Sequence, residues 1–246
     1  MVTVEAHGDV QVVRLDNGPV NVLDLDLVRD LTATFDELTD AGAVVLTGAG
    51  RAFSAGVDLR KLLDGGEDYV AEFLPALTAA FRAVFDHPRP VVAAINGHAI
   101  AGGCVIAAAC DRRLMSAGTI GVTELLVGVP FPISALEAMR YLVGPATASL
   151  VLTGRTFTPP EALGIGLVDE VVAPDGLLRS AVSAARSLAD IPPATFALTK
   201  AQLRGDTSRR IADGDAAFTT MLVDMWTAGP ARSSIAAYLS RLDARR

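Results

Sequence analysis

Apolar residues recur along this chain with two different periods. Val10 to Leu15 and Ala43 to Thr47 are short runs rich in β-branched residues and predict buried strands. Between them Leu25, Val28, Leu31, Phe35 and Leu38 fall at helical spacing, with Asp24 or Asp26 placed as N-cap. Val91 to Ile95 predicts another strand, followed by a helix from about Gly103 to Cys110 and a strand near Arg113 to Met115. A further strand is expected at Leu167 to Val172. From about Gly176 onward the pattern turns helical, through Leu177, Leu178, Val182 and Ala185, then Phe196, Leu198 and Leu203, then Phe218, Met221, Leu222 and Met225. The expectation is an α/β core followed by an all-helical tail, divided at 1–190 and 191–246. Gly65-Gly66 and Asp190 to Pro193 are breaks in the pattern. No internal repeat of fixed period marks the sequence.

Composition narrows the function classes. The 246 residues are 51% hydrophobic and 20% charged with a net charge of −7, the balance of a globular protein. Only Lys61 and Lys200 are lysines, and the acidic excess argues against a broad electrostatic grip on nucleic acid. Cys104 and Cys110 have no histidine at ligand spacing, so no metal site is expected. The opening residues carry neither a basic nor an apolar targeting stretch, which predicts a cytoplasmic protein with reduced thiols. Val91 to Cys110 is uncharged over a membrane-spanning length, but Asn96, Gly97, His98, Gly102 and Gly103 break it into strand, turn and helix, so no membrane role is expected.

Three segments could carry chemistry. The first, Val44 to Leu59, runs from a strand into a loop of small residues where a ligand could approach the backbone. It does not complete a dinucleotide fingerprint, since Phe53 stands where the third glycine belongs, and Ser54 is not in a G-x-S-x-G elbow. The second, Ile95 to Val105, joins a strand to a helix start whose unpaired N–H groups favour negative charge. Gly102 could supply half of an oxyanion hole there, or merely permit close packing. Cys104 and His98 read as a thiol dyad only without a third, orienting group, so both are expected to be structural. In the third segment, Thr119 to Pro132, Glu124 is the only charge; it is either an exposed or N-capping glutamate or, if its apolar neighbours bury it, a group of raised pKa suited to a general base.

Together these segments resemble the crotonase family, the enoyl-CoA hydratase/isomerase group. The resemblance rests on Ala52 to Leu59, Ile95 to Cys104, Cys110-Asp111-Arg112, Thr153-Gly154-Arg155 to Glu161-Ala162, and Gly164 to Asp169, and it spans most of the chain. It implies a spiral of β-β-α units and a helical C-terminal region used in trimerisation, as a homotrimer or a dimer of trimers. The implied substrate is an acyl-CoA thioester, with no cofactor beyond the coenzyme A it carries. Its oxygen would lie between the backbone N–H groups of Val57 and Gly102. Ala55, Gly56, Val57, Asp58 and Leu59 would line the CoA groove, Thr123 would adjoin it, and Lys200 matches a position near the CoA phosphates, its alternative being a solvated helix lysine.

The family's hydratases use two glutamates. Glu124 matches the second, while Val105 stands at the position of the first and can neither accept nor donate a proton. Glu137, expected on a helix face, and Glu161, expected to start a helix, do not replace it. A single base fits the Δ3-to-Δ2 isomerisation of an enoyl-CoA, in which Glu124 would serve both proton transfers. A hydratase, other thioester chemistry or a non-catalytic acyl-CoA binder are the alternatives.

Overall fold

The computed structural model describes residues 1–244, the side chain of Ala216 excepted. A six-stranded sheet is formed by β1 (Val2–His7), β2 (Val10–Leu15), β3 (Ala43–Gly48), β5 (Val91–Ile95), β7 (Arg112–Met115) and β10 (Glu170–Val171), in that spatial order. A four-stranded sheet orders β4 (Ala52–Ser54), β6 (His98–Ile100), β8 (Ile120–Gly121) and β9 (Thr156–Phe157). β1 pairs antiparallel with β2 and β9 antiparallel with β8, and every other pairing is parallel. Parallel strands covered on both faces must be apolar throughout, which is why β3 and β5 read as unbroken apolar runs and are buried at every position.

Each central strand of the large sheet continues into a short strand of the small one and then into a helix. β3 and β4 lead to α2 (Leu59–Phe85), β5 and β6 to α3 (Gly102–Ala109), and β7 and β8 to α4 (Ile133–Val143). This is the expected β-β-α spiral, built without a sequence repeat. α1 (Leu25–Glu37) crosses between β2 and β3, and Asp24 caps it by accepting from the Leu27 amide at 2.8 Å. Gly65-Gly66 does not end a helix. Gly66 takes φ 62°, ψ −150° and kinks α2, which continues beyond it.

The strand expected at Leu167 to Val172 shrinks to β10. The Leu167 and Val168 amides bond back to the Ala162 carbonyl at the end of α6 (Pro159–Gly164), so the ladder with β7 begins only at Glu170. α6 begins at Pro159, and Glu161 in its first turn closes a capping box with Thr158. α5 (Thr147–Thr153) lies before it, and α7 (Leu177–Ala189) covers the outer face of the large sheet with Leu177, Ala181 and Val182.

After the break at 190–192 come α8 (Pro193–Thr227) and α9 (Gly229–Asp243). α8 packs across α2 and α4, and Trp226, Ala231 and Ile235 join the main apolar core. Among the described residues no helix is long and apolar enough to cross a membrane.

Candidate active site

Glu124 opens a single 3₁₀ turn, Glu124–Val127, directly after β8, and Gly128 closes it at φ 81°. Its side chain is 7% exposed, and Oε2 is buried with no hydrogen-bond partner. Burial therefore pushes the carboxyl pKa up to about 7, against the opposing pull of the Glu124 and Thr123 backbone amides. The group faces a small cavity of about 60 Å³ walled by Ala55 and Val57 from the first loop, Ile100 and Ala101 from the second, and Val127 and Val129 beyond Glu124. Trp226 of α8 and Tyr238 of α9 close it.

Val57 lines this space, as does Ala101, the residue before Gly102. Leu23 and Val57 form an isolated parallel bridge, in which the Leu23 amide donates to the Gly56 carbonyl at 2.8 Å and the Asp58 amide to the Leu23 carbonyl at 2.9 Å. Because alternate peptide groups point to opposite sides of an extended chain, the Val57 N–H faces away from Leu23. The second amide, Gly102, is the first residue of α3, where no intrahelical acceptor exists for it.

The two loops touch at Gly56, where a Cβ would lie 2.7 Å from the Ile100 carbonyl oxygen and 2.8 Å from the Ala101 Cβ. Gly56 also takes φ +83°, so only glycine lets the loops approach this closely. Ala101, immediately before Gly102, is held at φ 53°, ψ −125°, a strained conformation for a residue with a side chain.

Residues outside the sequence expectation hold the loops in place. Asn21 is fully buried; its amide nitrogen donates to the carbonyls of Ala49, Ala52 and Phe53, and its own carbonyl accepts from the Ser54 hydroxyl at 2.7 Å. The signal in the sequence is a lone amide in the apolar run Val20 to Leu23. Asn96 links the same loop to β5, accepting from the Gly48 amide at 3.2 Å and donating to the Gly50 carbonyl at 3.0 Å. Trp226 and Tyr238 carry no local signal at all.

The structure thus gathers Ala55, Val57, Leu59, Thr123 and Glu124 around one cavity, with Gly56 and Gly102 at its edge. Asp58 instead caps α2, accepting from the Arg60 and Lys61 amides. Lys200 lies elsewhere. It is 7% exposed, donates to Asp111 Oδ2 at 2.7 Å, and lines a larger cavity of about 710 Å³ that shares no lining residue with that of Glu124. Burial lowers its pKa to about 8 despite Asp111. That larger cavity is a groove whose buried charges already pair with one another, so the unpartnered carboxylate marks the site more strongly than size does.

His98 and Cys104 do not act together. His98 is exposed and bonds the Thr119 hydroxyl at 3.0 Å, while Cys104 is fully buried with its thiol pKa pushed up by desolvation. Val105 is likewise fully buried. Glu137 lies on α4 but is not solvated. It is 2% exposed, paired with Arg140 and with Arg210 Nε at 2.6 Å.

Residues 5–245 match the model of the enoyl-CoA hydratase/isomerase family. The chain belongs to this family. Among its relatives in the enoyl-CoA hydratase/isomerase family is a probable enoyl-CoA hydratase of Rhizobium meliloti, 34% identical over 219 residues, 86% of this chain and 84% of that protein. The human mitochondrial enoyl-CoA delta isomerase 1 is 29% identical over 250 residues, covering 98% of this chain and 83% of that one. The crystal structure of human mitochondrial delta3-delta2-enoyl-CoA isomerase superimposes with a TM-score of 0.95 over 100% of this chain and 99% of that one, at 29% identity. This family member therefore shares the crotonase fold.

Proposed function

We propose that this chain moves the double bond of a 3-enoyl-CoA to the 2-position. The observation that carries the reading is Glu124, the one carboxylate lining the cavity among the described residues, orphaned at Oε2 and with a pKa near 7. The Val57 and Gly102 amides receive the thioester oxygen. Glu124 takes a proton from C2, and the electrons of that C–H bond delocalise over the dienolate onto the oxygen held by the amides. The same carboxyl then returns the proton to C4, leaving the double bond between C2 and C3. A group poised near neutrality performs both transfers. The chemistry calls for no cofactor beyond the coenzyme A of the substrate, and the buried Val105 adds no polar group that would hold a water.

Hydration is the second reading, favoured by the names of relatives such as the Rhizobium meliloti protein. Ultraviolet assays separate the two. Conjugation gained from a 3-enoyl-CoA, without loss of conjugation from a 2-enoyl-CoA, is the expected result. Hydration at a comparable rate overturns it, and silence in both assays favours a binding protein.

A homotrimer or dimer of trimers in the cytoplasm is part of this proposal. Its support is the apolar side chains that α8 leaves exposed, Leu198, Leu203, Phe218, Met221 and Met225. Light scattering on the purified protein tests the assembly, with a monomer as the overturning result.

A further inference from the structure

We infer that Trp226 limits acyl length and that the site is built for short acyl groups. The inference rests on the acyl-CoA reading above and concerns the same cavity. Trp226 sits near the end of α8, about 100 residues from Glu124, yet its ring lines the Glu124 cavity and is 4% exposed. Its indole nitrogen donates to the Pro130 carbonyl at 3.0 Å, which fixes the ring against the segment that follows the Glu124 turn. A ring both buried and hydrogen-bonded is a wall rather than a mobile side chain.

The space in front of that wall is small. An apolar cavity of about 150 Å³ takes a benzene ring, so the 60 Å³ beside Glu124 has room for the reacting carbons and little more. A larger cavity borders the same helix. This second cavity of about 260 Å³ is lined by Leu74, Pro75, Pro132 and Leu222 together with the charged Arg82 and Asp215, and Leu222 lies one helical turn before Trp226 on α8. The indole, seated on Pro130, therefore caps the space in which the reacting end of the substrate would lie.

Calorimetric titration with saturated acyl-CoAs tests this without requiring turnover. Each methylene that finds apolar cover tightens binding about fourfold. The wild-type protein is expected to gain affinity from butanoyl-CoA to hexanoyl-CoA at most, then level off or weaken at octanoyl- and dodecanoyl-CoA. Trp226→Ala, and Trp226→Leu as the better-filled variant, are expected to restore the gain at octanoyl-CoA and beyond. Circular dichroism and a thermal melt establish that each variant is folded.

A wild-type affinity that climbs through dodecanoyl-CoA overturns the inference, as does an unchanged length profile in a folded variant. Should neither variant fold, the wild-type profile decides alone. No binding of any acyl-CoA instead overturns the acyl-CoA reading itself.

Discussion

Leu23 packs directly against Gly102: a Cβ on Gly102 would lie 2.8 Å from Leu23 Cδ1, and Leu23 is fully buried. Leu23, whose backbone bridges to Val57, thus also packs against Gly102, the residue proposed to supply the second amide. Gly102→Ala is expected to lower kcat about 10- to 100-fold by displacing that amide. Leu23→Val trims the opposing methyl group, so the double variant should recover part of the loss. A kinetic double-mutant cycle measures the coupling, and strict additivity would refute it.

Glu124→Gln keeps the shape of the side chain and removes the base. Turnover is expected to fall by at least about 10³-fold, while affinity for a saturated acyl-CoA stays within a few-fold of wild type. Steady-state kinetics and calorimetry on the same preparation check both halves. Retained turnover would assign the proton transfers to another group.

The raised pKa of Glu124 has two consequences with pH. Activity requires the carboxylate, so the acid limb of kcat/KM is expected to rise through a midpoint near 7 rather than near 4.5. Stability runs the other way. The folded pKa lies above the unfolded one, so the stability this group contributes is fully present below about 4.5 and is lost as pH rises through about 7. A rise from 4.5 to about 7 corresponds to about 3 kcal/mol. The stability of Glu124→Gln relative to wild type should therefore improve by about that amount between pH 4.5 and 8, as read by denaturant melts.

Ala101 stores strain immediately before the Gly102 amide. Ala101→Gly removes the steric cost of a positive φ, offset in part by the greater freedom of glycine in the unfolded chain. A net stabilisation of about 1 kcal/mol is expected, a rise of about 2–4 °C in Tm. A fall in Tm would show that the Ala101 side chain contributes more by packing than its backbone costs.

Asp111 ties α8 to the core through two buried cations, Lys200 at 2.7 Å and Arg204 at 2.8 Å. Asp111→Asn leaves both positive charges without a counter-ion and should cost about 3–5 kcal/mol. Lys200→Met leaves the Asp111–Arg204 pair intact and should cost less. Reversal of that order in thermal melts would contradict the structural role read for Lys200.

Much of the scaffold was legible as local pattern. β3 and β5 are fully buried apolar runs, α1 repeats its apolar positions behind Asp24, and α7 begins where the helical pattern resumes after Gly176. The site was legible in part for the same reason. Glu124 is the single charge in an apolar segment, and desolvation follows from its neighbours in the sequence. β4, β6, β8 and β9 were not legible, since two or three residues are too short to display a period.

The chain itself settles which residue types are available: one carboxylate beside two glycine-bearing loops, a valine where a second acid could stand, and elements whose apolar faces require burial. Tertiary structure alone decides what each face meets. Glu137 has the look of a surface glutamate until Arg140 and, from 73 residues away, Arg210 neutralise it in the interior. Lys200 is drawn into a buried ion pair by Asp111, 89 residues away, and Trp226 reaches Pro130 across 96 residues to close the cavity. Periodicity reports that a side chain is to be covered; only packing between distant segments determines by what, because those contacts depend on how the helices cross and not on the sequence around each residue.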